Sequence, residues 1–137
     1  MGSLGLLVGV FVIFLLGSGV RYGGANHTPA LTTSCTTPGV ALSARTTVRG
    51  HPLYFAVTGP NRAVVAAIDA ANLGPDLTAV PLAGKTPQVI RPPVTLRACK
   101  GSGALGVQVG AGSHVFSLFP AEGGGPLTTQ PLIVTDR

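Results

Sequence analysis

The sequence predicts an all-β domain, an antiparallel sandwich or barrel, and three observations carry that prediction. Past position 40 the apolar residues recur with period two rather than 3.6, as strands with one buried face require. Twenty glycines and twelve prolines cut the apolar runs into short pieces, the density that turns between strands demand. Only 9% of residues are charged, against about 25% in ordinary domains, too few to coat the wet faces of exposed amphipathic helices. The 137-residue chain has room for one small core beyond its apolar start and none for a second domain.

The apolar start comes first in chain order. Leu4 to Val20, LGLLVGVFVIFLLGSGV, carries no charge. As a helix it reaches about 26 Å, slightly short of a hydrocarbon core of about 30 Å. Residues 1–21 therefore read as a transmembrane anchor or a signal segment, with Gly17, Ser18 and Gly19 where small residues precede a cut. No Lys or Arg precedes the run and Arg21 comes after it, an order that the positive-inside rule alone places toward the cytoplasm. Anchor and signal both export the chain beyond them, so the expectation is an extracytoplasmic C-terminal domain. It is held in the membrane through residues 4–20 as a single pass, or secreted if the signal is cleaved. Residues 22–39, rich in Thr, Pro and Gly, read as a linker, and Asn26-His27-Thr28 matches the N-glycosylation sequon.

Eight strands are expected in the domain, residues 40–137. VALSARTTV (40–48) sets Leu42, Ala44, Thr46 and Val48 against Ser43, Arg45, Thr47 and Arg49, one face buried and one wet. PLYFAVT (52–58) aligns Leu53, Phe55 and Val57, with Gly50-His51-Pro52 turning in and Gly59-Pro60-Asn61 turning out. RAVVAAID (62–69), LTAVPL (77–82), VTLRAC (94–99), ALGVQV (104–109), HVFSLF (114–119) and PLIVT (131–135) come next, with turn residues between them. Short strands at this spacing suit a two-sheet domain.

Two of these stretches carry a resemblance. GHPLYFAVTGP resembles the second-strand signature of bacterial immunoglobulin-like domains, and GAGSHVFSLF resembles the segment leading into their penultimate strand. The resemblance implies an immunoglobulin-like β-sandwich. It departs from the antibody type, since the chain has no Trp and no Tyr at the tyrosine corner. The combination of apolar start, Thr/Pro linker and Gly/Ala/Val-rich strands with two cysteines is similar to that of small envelope proteins of high-GC actinobacteria.

The cysteines and histidines bear on chemistry. Cys35 and Cys99 are the only two, and a pair in an exported domain is ordinarily a disulfide; closing its loop stabilises by about 4 kcal/mol in the chain-entropy model. A zinc site from Cys35, Cys99, His51 and His114 has no short-spaced ligand pair to support it. A copper site lacks an axial Met, since the one Met is Met1. His114 begins a strand and is expected at the edge of the core, one ring nitrogen satisfied by backbone, with truncation costing about 1 kcal/mol or less. GSGALG (101–106) matches a phosphate-loop pattern, but an alternating, glycine-broken stretch comes after it rather than the helix a pyrophosphate needs. Its glycines are expected in a hairpin turn at positive φ.

No enzyme, cofactor or metal is therefore expected. Asp69, Asp76, Glu122 and Asp136 are the only acidic residues, few to orient a catalytic base, and no G-x-S-x-G elbow occurs. The net charge of +5 is scattered and has few aromatics beside it, which argues against nucleic acid. The expected function is a non-catalytic binding or structural module of the cell envelope, its partner another envelope protein or polymer. A periplasmic metal or small-ligand carrier using His114 and His51 is the alternative.

Overall fold

The computed structural model describes residues 29–137. The anchor or signal segment 1–21, the membrane contact expected of residues 4–20 and the Asn26 sequon lie outside the described residues. Within them the chain is all-β, with eleven strands and no helix.

One sheet joins β1 (Gly39–Leu42), β3 (Pro52–Thr58) and β9 (Lys100–Gly106), in the order β1-β3-β9. The second joins β2 (Thr46–Val48), β11 (Thr128–Thr135), β10 (Gly112–Pro120), β4 (Ala63–Ile68) and β7 (Gln88–Val89), in the order β2-β11-β10-β4-β7. A further short strand, β8 (Val94–Thr95), also pairs with β4. β5 (Ala70–Leu73) and β6 (Ala79–Pro81) form a separate hairpin. Every pairing is antiparallel except β2 with β11, which is parallel; the expectation of an antiparallel domain is corrected there.

Period-two burial explains the central strands. Leu53, Phe55 and Val57 on β3 are fully buried, as are Phe116, Leu118 and Leu132 on β10 and β11, and all six belong to one cluster fed by both sheets. Phe55 and Phe116 meet across it with ring centroids 5.3 Å apart and planes tilted by 56°, a geometry worth about 1 kcal/mol beyond the area buried. AVVAAI on β4 does not alternate because both its faces are covered. Val64, Ala66 and Ile68 enter the main core, while Val65 and Ala67 join a second cluster with Phe119, Ala70 and Leu73, the last two from β5.

Three expectations change. Residues 40–48 form two strands in different sheets rather than one. The Ser43 N–H still donates to the Tyr54 carbonyl, at 2.8 Å, after which the chain crosses to β11. The inward side flips in the crossing, so Thr47 is buried and Thr46 exposed. In GSGALG, Gly101 and Gly103 lie inside β9 rather than in a turn. A Cβ on Gly103 would stand 2.6 Å from Cζ of Phe55, so this glycine is there for close approach, not for positive φ. The turn falls earlier, where Ala98 (φ 53°) and Cys99 (φ 69°) take left-handed conformations and Arg97 and Lys100 exchange backbone hydrogen bonds of 3.0 and 3.2 Å, the type I′ pattern. Finally, β5 and β7 have no counterpart among the eight expected strands.

Two glutamine side chains stitch the sheets together at their open sides. Gln88 Nε2 donates to the Gly106 carbonyl at 2.7 Å and Gln88 Oε1 accepts from the Gln108 N–H at 2.9 Å, joining β7 to the end of β9. Gln130 Nε2 donates to the Val40 carbonyl at 2.8 Å, joining β11 to β1.

Candidate functional site

The most chemically loaded place in the domain lies where β4 ends and β10 begins. Asp69 directly succeeds β4 in a left-handed conformation, φ 59°, which short polar side chains tolerate. Its N–H donates to the Val115 carbonyl at 2.8 Å, and its carbonyl accepts from the Leu82 N–H at 2.9 Å. The carboxylate is thereby fixed beside β10. Oδ1 accepts from the Val115 N–H at 3.0 Å, and Oδ2 meets Nδ1 of His114 at 2.5 Å. On the other side of the ring, His114 Nε2 donates to the Gly110 carbonyl at 2.6 Å. Both side chains are buried, with exposures of 1% for Asp69 and 6% for His114.

Elementary hydrogen-bond chemistry fixes how many protons this group holds. The Gly110 carbonyl accepts only, so Nε2 carries a hydrogen. A second hydrogen must lie between Nδ1 and Oδ2. The pair is overall neutral whichever partner owns that proton, which is how a buried carboxylate is accommodated away from water.

Beside the pair opens a cleft of about 490 Å³ that Asp69 and His114 line together with Lys85, Thr86, Gln108 and Gly110. Lys85 Nζ donates to the Ser113 carbonyl at 2.6 Å, which holds its ammonium at the rim. The volume and the few convergent polar groups suit a small polar ligand. Nε2 is occupied by Gly110, and among the described residues no hydroxyl or thiol is hydrogen-bonded to the ring.

The expected disulfide is present. Cys35 and Cys99, 64 residues apart in sequence, are bonded with Cα atoms 4.9 Å apart. Cys35 is exposed and Cys99 half-buried. The Cys99 N–H donates to Asn61 Oδ1 at 2.9 Å and its carbonyl accepts from Gly59, which seats the turn against the loop after β3. With both thiols consumed, the four-residue zinc set from Cys35, Cys99, His51 and His114 cannot form. His51 sits exposed in the turn before β3 and does not line the His114 cleft. Among the described residues, no three His, Cys, Asp or Glu side chains converge as a metal site.

The other acidic residues stand apart from one another. Glu122 pairs with Arg62 at 3.1 Å and Asp136 approaches Arg49 at 3.9 Å, exposed contacts of little energetic weight. Asp76 lies in the β5–β6 turn, where hydrogen bonds from the Thr78 side chain and backbone hold its carboxyl below the ordinary range.

His114 is at the core edge with one nitrogen on backbone, as its alternation with Phe116 and Leu118 suggests. Its bond to Asp69 has no sequence motif, because the partners are 45 residues apart. The one signal is compositional: Asp69 closes an uninterrupted apolar run, AVVAAI, in a chain with four acidic residues, and a carboxylate continuous with a buried strand needs a partner. No protein-family model matches the chain, and no curated protein matches it as a relative.

Proposed function

We infer that the protein is a non-catalytic, membrane-anchored extracytoplasmic module of the cell envelope, an immunoglobulin-like β-sandwich that binds another envelope protein or polymer. The observation that carries this reading is the Cys35–Cys99 bond. It is solvent-exposed at Cys35, so it persists in an oxidising compartment and not in a reducing one. The strand order supports the immunoglobulin-like part. β1, β3 and β9 correspond to A, B and E of that fold, and β4, β10 and β11 to C, F and G, hydrogen-bonded in the order G-F-C.

The test is a reporter active only outside the cytoplasm, fused after Arg137. Activity in the membrane fraction is the expected result, and an inactive fusion beside an active cytoplasmic counterpart overturns the reading. A second reading, a carrier of a small polar ligand, draws on the cleft beside His114. Protein released from native envelopes with a stoichiometric small molecule or metal, lost on His114→Ala, favours the carrier over the module.

A further inference from the structure

We propose that Asp69 and His114 form a proton-operated latch on one wall of the cleft, closed while the pair holds two protons and opened by the loss of one. The wall is the segment 107–111 between β9 and β10. Val107 at its start is bonded through its backbone to Gly50 and His51, and two side chains fasten the rest. Gln88 grips its start through the Gln108 N–H, with Val107 and Val109 buried in the core behind it. At its far end the fastening is the His114 Nε2–H bond to the Gly110 carbonyl.

The latch rests on a count of hydrogens. Three acceptor positions surround one imidazole: Oδ2 of Asp69, the Gly110 carbonyl, and whichever ring nitrogen lacks a hydrogen. With two protons, one lies between Oδ2 and Nδ1 and one on Nε2, and both contacts are bonds. With one proton, a single contact survives. A hydrogen bond to a carboxylate is about twice as strong as one to a neutral carbonyl, and the carboxylate is the more deeply buried partner, so the proton stays at Nδ1. Nε2 then turns a lone pair toward the lone pairs of the Gly110 carbonyl, and the contact becomes repulsive. Gly110 and Ala111, both exposed and free of side-chain anchors, move off, and the bare Nε2 faces the cleft as an acceptor.

Few other charges bear on the pair. From the β6–β7 connection Lys85 places its ammonium on the Ser113 carbonyl. From β11 the residue paired with His114 is Leu132, and the segment 107–111 has no titratable side chain. The latch is independent of what the module binds: it concerns the wall of the cleft, and its test needs no ligand.

The full disulfide-bonded chain, isotope-labelled, is monitored by the Gly110 carbonyl ¹³C shift and by imidazole ¹⁵N shifts from about pH 5 to about pH 8, the span over which imidazoles change charge. The Gly110 carbonyl accepts the latch bond, so its ¹³C resonance is expected to move upfield across the span as that bond is lost, while carbonyl shifts within β10 and β11 hold. The ¹⁵N shifts should show both nitrogens protonated at the acid end and Nε2 bare at the alkaline end. Asp69→Asn keeps a residue that tolerates the left-handed backbone, and its amide donates to Nδ1, placing the hydrogen on Nε2 at every pH. Its loop should stay closed throughout. A Gly110 carbonyl shift that ignores pH in the native chain, or a bare Nδ1 at the alkaline end, overturns the proposal, as does an Asp69→Asn chain whose Gly110 carbonyl shift moves like the native one. If Asp69→Asn does not fold, the ¹⁵N assignment on the native chain decides alone.

Discussion

Two of the long-range ties in this domain differ in almost every physical respect. Cys35–Cys99 is covalent, exposed on one side and joins the N-terminal segment to the turn before β9. Asp69–His114 is a hydrogen-bonded pair, buried, and joins the end of β4 to the start of β10. The first acts mainly on the unfolded chain by shortening it. The second acts only in the folded state, where each partner makes the other tolerable in the interior. A reducing environment undoes the first and leaves the second.

The sharpest way to break the comparison is to cut each tie. Cys35→Ser and Cys99→Ser should each destabilise by about 4 kcal/mol. The double variant should cost little more than either single, since one cross-link is lost in all three; denaturant titration measures this, and additive losses would mean that the cysteines act separately. His114→Ala should cost about 3 kcal/mol, because it strands the Asp69 carboxylate in the interior. This is well above the roughly 1 kcal/mol or less that an edge histidine without a partner predicts, and a loss that small would show that the pair contributes nothing net.

Smaller changes sharpen the contrast. Ala98 is exposed and left-handed, φ 53°, so Ala98→Gly should stabilise by about 0.5 kcal/mol, the relief of the Cβ clash less the greater freedom of glycine when unfolded. The gain should persist in Cys99→Ser, because the Arg97–Lys100 bonds and Asn61 still hold the turn. A gain that vanishes there would show that the disulfide alone imposes the turn. The smallest effect is at Asp76. Its carboxyl is held below the ordinary value of 3.8 by Thr78. A depressed carboxyl stabilises above that value, and the contribution is lost as the pH falls through the folded-state range. Stability of the native chain relative to Asp76→Asn should therefore shrink on acidification below that value.

Legibility in the sequence divides along the same line. Two cysteines in a short chain announce their own pairing, and β3 is legible because its buried residues alternate strictly, Leu53, Phe55, Val57. The crossing between β1 and β2 is not, since Thr46 and Thr47 are the same residue type and only the change of sheet decides which is buried. Gly101 and Gly103 look like a turn because glycine serves both left-handed backbone and close approach, and Phe55, nearly fifty residues earlier, is what selects the second. β7 is two residues long and owes its place to pairing with Ala67 and Ile68 rather than to its own composition. Asp69 and His114 meet only because β4 and β10 are paired in a particular register, which local sequence does not specify.

The position of the disulfide has a mechanical consequence. Because Cys35 precedes β1 and is bonded to Cys99, a pull between the N-terminal segment and Arg137 passes from one sulfur to the other and bypasses residues 36–98, eight of the eleven strands. Only β9, β10 and β11 lie in the line of force. If they tear out, the chain lengthens by roughly 130 Å at about 3.5 Å per residue, instead of the roughly 350 Å a reduced chain would release. A tether at the N-terminus thus carries load through a short, stiff path, and β1 to β8 feel none of it along their own backbone.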